Sequence, residues 1–222
     1  MIIDCIGCLH GHHPKLEGGD LLIVTGDLTS RHTPLQTVEF LYWLSQQEYR
    51  KIIWIAGNHD TQLVEKGDYE VFFDGKIFNL EWPKNTEYLC NSGTEFEGLK
   101  IWGTPNSLLF DGVNPKCTAF MGTEEELKKE YDKIANDIDI LISHTPPHGI
   151  LDKNIHGEHC GSKSLRRIMG RVKPKLWVFS HIHEAYGEYK DKTISGVDYH
   201  FINCSYVNER YKPVNKVMRI VL

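Results

Sequence analysis

Apolar residues run through this chain in short blocks, and most blocks end in a polar cluster. Ile2 to Ile6 is apolar apart from Asp4 and reads as a buried strand. LLIVT, Leu21 to Thr25, is a second strand, and KIIWIAG, Lys51 to Gly57, a third. Between these two, Leu35, Val38, Leu41, Tyr42 and Ser45 recur at helical spacing, which predicts a helix over Pro34 to Gln47. The order strand, strand, helix, strand points to an α/β fold with central parallel strands.

The middle of the chain is less regular. IFNL, EYLC and LKIWG read as short strands, with NSG and FEG as turns. TEEELKKEYDKIAND predicts a helix opened by a capping box, Thr123 with Glu126. IDILISH is a further buried strand. Leu165, Ile168, Met169 and Val172 form the apolar stripe of another helix. KLWVFSHIH is a strand, and the rest, to KVMRIVL, reads as antiparallel strands. No repeat, linker or low-complexity tract divides the chain, so a single domain over residues 1–222 is expected.

Composition narrows the class. The chain has 222 residues, 41% hydrophobic and 25% charged, enough for one well-filled core. A net charge of −5 argues against a protein that tracks long nucleic acid. No apolar run is long enough to span a bilayer, so no membrane partner is expected. The chain does not open like a secretory signal. The six cysteines are therefore expected to be reduced thiols in a cytoplasmic protein.

The chemistry gathers where strands end. The clusters are GCLHG, TGDLT, AGNHD, ISHTPPHG and SHIHE. Each delivers one or more of Cys, His, Asp or Asn, and ligands of open α/β sheets bind at the carboxyl ends of strands. A set of imidazoles, a carboxylate and an amide suits divalent transition metals. Two ions roughly 3.5–4 Å apart can grip both the attacking and leaving oxygens of a phosphoryl displacement.

The ordered blocks Gly26-Asp27, Gly57-Asn58-His59-Asp60, His144 and His181-Ile182-His183 resemble the calcineurin-like metallophosphoesterase family. GDLLIVTGDLT, IWGTP, HTPPHGILD and SHIHEAYG are similar to its metallophosphoesterase-domain-containing (brain protein 239-like) branch. The resemblance covers about Ile2 to Tyr206. It implies an αββα sandwich of two mixed β-sheets flanked by helices, with a dinuclear metal centre at one sheet edge. By position, Cys8, His10, Asp27 and His183 would hold the first metal. The bridging Asp27 with Asn58, His144 and His181 would hold the second. A metal-bound hydroxide would attack phosphorus while His59 protonates the leaving oxygen, and Asp60 would orient His59 through a hydrogen bond. The ions implied are Mn, Fe, Zn or Co, and the substrates small phosphodiesters, including cyclic nucleotides. The alternatives are a phosphomonoesterase and a catalytically impaired protein-binding scaffold.

Two positions depart from the family pattern. Cys8 stands where the first block, Asp-x-His, has its aspartate. Asp4 lies inside the strand, four residues too early to replace it. Cys5 and Cys8 are three apart on an extended chain and should diverge, which argues against a Cys-x-x-Cys motif and places Cys5 in the core. Three roles are open to Cys8: a soft thiolate ligand, a weakened site that leaves one metal, or an inert residue. The presence of every other ligand favours the first. Ser180 stands where the family has Gly; it restricts the backbone and adds a hydroxyl near the second metal.

Other candidates have plainer readings. His32 and His200 are single histidines with no block around them. His12 and His13 read as loop residues, and His148, His156 and His159 lie in the loop after HTPP, near the expected pocket mouth. GSKS, Gly161 to Ser164, reads as a capped helix start, an end that also suits an anion.

Overall fold

The computed structural model describes residues 1–30, 33–63, 70–73, 76–79, 82–110, 112–192, 196 and 198–222, with backbone alone at 70–73 and 76–79. His32 and Leu80 lie outside the described residues. In chain order the elements begin with β1 (Ile2–Ile6), β2 (Gly19–Thr25), α1 (Pro34–Ser45) and β3 (Tyr49–Ile55). Then come β4 (Glu70–Phe73), β5 (Lys76–Asn79), β6 (Thr86–Tyr88), β7 (Ser92–Phe96), β8 (Leu99–Thr104), β9 (Ser107–Leu108) and β10 (Met121–Gly122). The second half holds α2 (Glu124–Tyr131), β11 (Ile140–Ser143), α3 (Lys163–Arg167), α4 (Met169–Val172) and β12 (Leu176–Phe179). It closes with β13 (Gly187–Asp191), β14 (Tyr199–Asn203) and β15 (Met218–Val221).

Two mixed sheets carry the site. The first has the order β15-β1-β2-β3-β6 and the second β13-β14-β12-β11-β8-β7. In each, the inner neighbours are parallel and an outer strand is antiparallel: β15 against β1, β13 against β14, and β7 against β8. The sheets bury a shared layer, with Ile3, Cys5, Ile23 and Ile53 meeting Ile101, Ile142, Val178 and Ile202. Their outer faces are apolar too, because helices cover them. Phe40, Leu41 and Leu44 of α1 pack on Leu22, Val24 and Trp54, and Leu127, Leu165 and Met169 pack on Leu141, Trp177 and Phe201. The result is the expected αββα sandwich. Coverage on both faces explains why the strands read as apolar runs instead of alternating.

Local signals account for the element ends. Thr33 caps α1 by accepting from the Gln36 amide, with Pro34 in the first turn. The Thr123–Glu126 capping box is present, but α2 stops at Tyr131, well short of the expected Asp137. Arg171 donates to the carbonyls of Tyr131 and Ile134 and satisfies the chain where it leaves the helix. The apolar stripe from Leu165 to Val172 is split between α3 and α4. SGTEF, whose two ends the sequence reading places in the turns NSG and FEG, is the strand β7; as an outer strand open to solvent it carries polar residues that hide the apolar signal. The tail is only partly antiparallel, since β14 pairs parallel with β12.

Two sequence readings find their place here. Cys5 is fully buried between the sheets. Asp4 is buried on the opposite face and accepts from Arg219 at 2.8 and 2.7 Å, so it anchors β15 and is not available to the site.

Candidate metal centre

The loops that follow β1, β2, β3, β11 and β12 converge at one edge of the sandwich. Their turns are tight. Cys8, His10, Asp27 and His181 all adopt positive φ, at 48°, 45°, 52° and 69°. Non-glycine residues held in this region cost energy and cluster at functional sites. Gly26, at φ 92°, precedes Asp27, and a Cβ there would lie 2.4 Å from the Ala56 carbonyl oxygen. Only glycine lets the β2 and β3 loops approach this closely.

Two ligand-like groups result. One donor atom each from Cys8, His10, Asp27 and His183 lie within 4.8 Å of one another, as do those of Asp27, His144 and His181. Asp27 joins the groups, with one carboxylate oxygen 3.6 Å from His10 Nε2 and the other 3.3 Å from His144 Nε2. Asn58 Oδ1 lies 3.1 Å from the same His144 nitrogen, which brings it to the second group.

Backbone carbonyls orient the rings. His144 Nδ1 donates to Thr25 O at 2.8 Å and His183 Nδ1 to Asn208 O at 3.1 Å, so both present Nε2 inward. His183 Nε2 faces His10 Nε2 at 3.2 Å. Burial holds His10 and His183 below the ordinary histidine pKa and brings His181 to about 3, favouring neutral imidazoles. Burial also opposes ionisation of Asp27, but His144, His59 and His10 outweigh it and keep it a carboxylate. Burial, followed by the Asp27 charge, pushes the Cys8 thiol well up.

Ser180 fits without distortion. Its hydroxyl donates to Thr25 O at 3.1 Å, turned to the backbone. Its neighbour is Gly7, where a Cβ would fall 2.7 Å from the Ser180 oxygen and 1.9 Å from Thr25 Oγ1. The space that Ser180 fills is space that Gly7 leaves.

Asp60 corrects the sequence reading, which pairs it with the His59 ring. Its buried carboxylate instead accepts from the amides of Leu28, Thr29 and Gly57 and from the Thr29 hydroxyl. Burial and then Asp27 raise it to about 6, against the pull of those amides. Asp60 thus fixes the loops of Asp27 and His59. Near the ring itself lies Cys117, with Sγ 3.7 Å from His59 Nδ1. Nothing in NPKCTAFMG marks it in the sequence. Tyr211, also missed, packs its ring 4.8 Å from that of His10.

A cavity of about 570 Å³ opens on the centre. Asp27, Asn58, His59, His181 and His183 line its inner part, and Phe110, Glu158, Glu184, Glu209 and Tyr211 its outer part. Of the loop histidines, His159 lines it and pairs with Asp152 at 2.6 Å. His148 packs on His159, His156 is exposed, His12 meets Tyr211 O, and His13 stacks on Trp43. The helix start at Ser162 does take an anion: the carboxylate of Glu124.

The profile of the calcineurin-like phosphoesterases matches residues 2–185. The chain belongs to that family. It is similar to the metallophosphoesterase domain-containing protein 1 of Homo sapiens, 31% identical over 95% of this chain and 68% of that protein. It is also similar to the UPF0046 protein T07D4.2 of Caenorhabditis elegans, 33% identical over 92% of this chain. The chain spans 56% of the length of the worm protein. A solved structure, TT1561 of Thermus thermophilus, shares the fold with a TM-score of 0.56 at 13% identity, covering 91% of this chain and 88% of that one. Among the described residues no helix is long and apolar enough to cross a membrane.

The metal ions that the calcineurin-like phosphoesterase family implies fit the residues present. His181 Nδ1 and His10 Nδ1 are buried with no hydrogen-bond partner among the described residues. Two neutral imidazoles face each other beside a carboxylate, a donor set that asks for a cation. A cation held there would also favour loss of the thiol proton that burial otherwise retains on Cys8.

Proposed function

We propose that this protein hydrolyses small phosphodiesters, cyclic nucleotides among them, at a centre of two transition-metal ions. The observation that carries the choice of diesters is the charge of the cavity. Glu158, Glu184 and Glu209 line its outer part, and no Lys or Arg is among the described lining residues. A phosphomonoester carries nearly two negative charges at neutral pH, because its second pKa is about 6. A diester carries one. The carboxylates repel the extra charge; Arg210 Nε offsets Glu209 in part, at 3.4 Å from its carboxylate, but no Lys or Arg faces the cavity among the described lining residues. A long nucleic acid meets the same repulsion at every phosphate.

Cys8, His10, Asp27 and His183 would hold one ion, and Asp27, Asn58, His144 and His181 the other. Bound there, the ions supply a water nucleophile at neutral pH and neutralise phosphoryl charge. The protein does the rest. Asp27 presents one oxygen to each group of ligands, and Thr25 O and Asn208 O lock two of the imidazoles. His59, on the cavity wall, protonates the departing oxygen. The intact His59 and the full donor set weigh against a scaffold.

The test is hydrolysis by metal-stripped protein reloaded with Mn, Fe, Zn, Co or Mg. We expect metal-dependent turnover of bis-p-nitrophenyl phosphate, with kcat/KM above that for p-nitrophenyl phosphate. A faster monoester would make this a monoesterase. Folded protein inert to both with every metal would make it a scaffold.

A further inference from the structure

The segment from Asn114 to Ala119 brackets the GNHD loop from outside. Asn58 Nδ2 donates to Cys117 O at 3.0 Å, and the Ala119 amide donates back to Asn58 O at 3.2 Å. The Cys117 amide is itself tied to Asn114 O at 2.8 Å. These bonds fix the Cys117 side chain, 5% exposed, with its sulfur 3.7 Å from His59 Nδ1. The carboxylate behind the same loop cannot serve the ring, since Asp60 is committed to three amides and a hydroxyl.

We propose that Cys117 is a positioning residue of His59: its sulfur accepts a hydrogen bond from Nδ1–H, so that Nε2 carries the proton given to the leaving group. This rests on the reading of His59 as a leaving-group acid. In that step the Nε2–H bond breaks and an O–H bond forms on the departing oxygen. The imidazolium becomes a neutral ring whose remaining proton stays on Nδ1, held by Cys117. The sulfur forms no covalent bond and nothing is oxidised. Sulfur is a weak acceptor, so its effect is orientation and choice of tautomer.

A leaving group that needs a proton should feel the loss of Cys117, and one that departs easily should not. The test compares methyl phenyl phosphate with methyl p-nitrophenyl phosphate on the zinc-loaded protein. His59→Ala is expected to lose about 100-fold more on the phenyl than on the p-nitrophenyl ester, within the usual range of general acid catalysis. Cys117→Ala is expected to act in the same direction by about tenfold, a fraction of that range. Nitrogen-15 NMR of neutral His59 gives a second readout. The parent should hold the Nδ1–H tautomer, and Cys117→Ala should shift it toward Nε2–H. Equal losses on both esters, or an unchanged tautomer, would overturn the role of Cys117 and leave the diesterase standing. If His59→Ala shows no leaving-group dependence while turnover persists, the acid role of His59 fails, and that of Cys117 with it.

Discussion

The backbone amide of His181 donates to the Cys8 sulfur at 3.1 Å, joining the loop after β12 to the loop after β1 across the centre. The Ser205 hydroxyl approaches the same sulfur at 3.8 Å. These two donors favour a thiolate, but burial and the Asp27 charge outweigh them and hold the proton on the sulfur, so a thiolate here needs a cation beside it. Cys8 Sγ lies within 4.8 Å of donor atoms of His10, Asp27 and His183, where a bound cation would supply that charge and make the sulfur a ligand. Cys8→Ala is expected to reduce metal content from two ions per chain toward one, as read by elemental analysis of dialysed protein. Cobalt-loaded parent should absorb in the near ultraviolet through a thiolate-to-metal transition that Cys8→Ala lacks. Retention of both signals in the variant would return Cys8 to an inert role.

Cys8→Asp tests softness at the same position. Asp tolerates the φ of 48° better than most residues, so the loop should survive. A hard carboxylate should move the metal ranking from Zn and Co toward Mn and Mg. The measurement is relative turnover across the reloading series. An unchanged ranking would mean that position 8 does not set metal preference.

Asp60 separates loop building from catalysis. Its carboxylate holds three backbone amides of two loops, so Asp60→Asn should destabilise the fold by about 2–3 kcal/mol, the cost of broken hydrogen bonds to a buried charged group. His59→Ala should leave stability nearly unchanged while turnover falls. Denaturant midpoints of the two variants, taken with the same metal, decide the matter. A stable Asp60→Asn variant with a His59-like loss of turnover would restore the direct dyad.

The acidic rim predicts a gain. Glu158, Glu184 and Glu209 repel the second charge of a monoester, so replacing all three with Gln should raise kcat/KM for p-nitrophenyl phosphate several-fold and change the diester less. Added salt should shrink that difference, because exposed charges are screened within about 8–10 Å. Equal changes for both substrates would show that the rim does not select between them.

How much of this was legible follows from where each residue sits. His10, Asp27, Asn58, His144, His181 and His183 each end an apolar run, so the pattern that predicts the strands also delivers the ligands to one edge. Cys8 was visible by the same logic, but its role was not, because the amide of His181 reaches it from 173 residues away. Asp60 was visible and misassigned. Adjacency suggested the His59 ring, whereas the loops needed an acceptor for amides brought close by Gly26. Cys117 and Tyr211 come from irregular segments with no periodicity, and only tertiary packing sets them against the imidazoles. β7 was missed for a related reason, since an outer strand shares its polar alternation with loops.

Glu124 provides a pH-dependent test remote from the metals. Its carboxylate accepts from Ser162 Oγ at 3.0 Å, Lys163 N at 2.7 Å and Ser164 N at 2.9 Å, tying α2 to the start of α3. Burial raises its pKa, but the bonds from Ser164, Lys163 and Ser162 outweigh burial and hold it below the ordinary value. A carboxyl depressed in the folded state binds its proton more weakly there than in the unfolded chain. Its stabilisation is therefore complete above the unfolded pKa, about 4.3, and is lost as pH falls through the lower folded value. Glu124→Gln should cost about 1 kcal/mol at pH 7, allowing for solvent screening of a half-buried group. For a chain of this size that is a fall in Tm of about 2–4 °C. The gap between parent and variant should narrow below about pH 4, where the parent carboxyl is also protonated. A gap that stays constant from pH 7 to pH 3 would mean that Glu124 acts through packing alone.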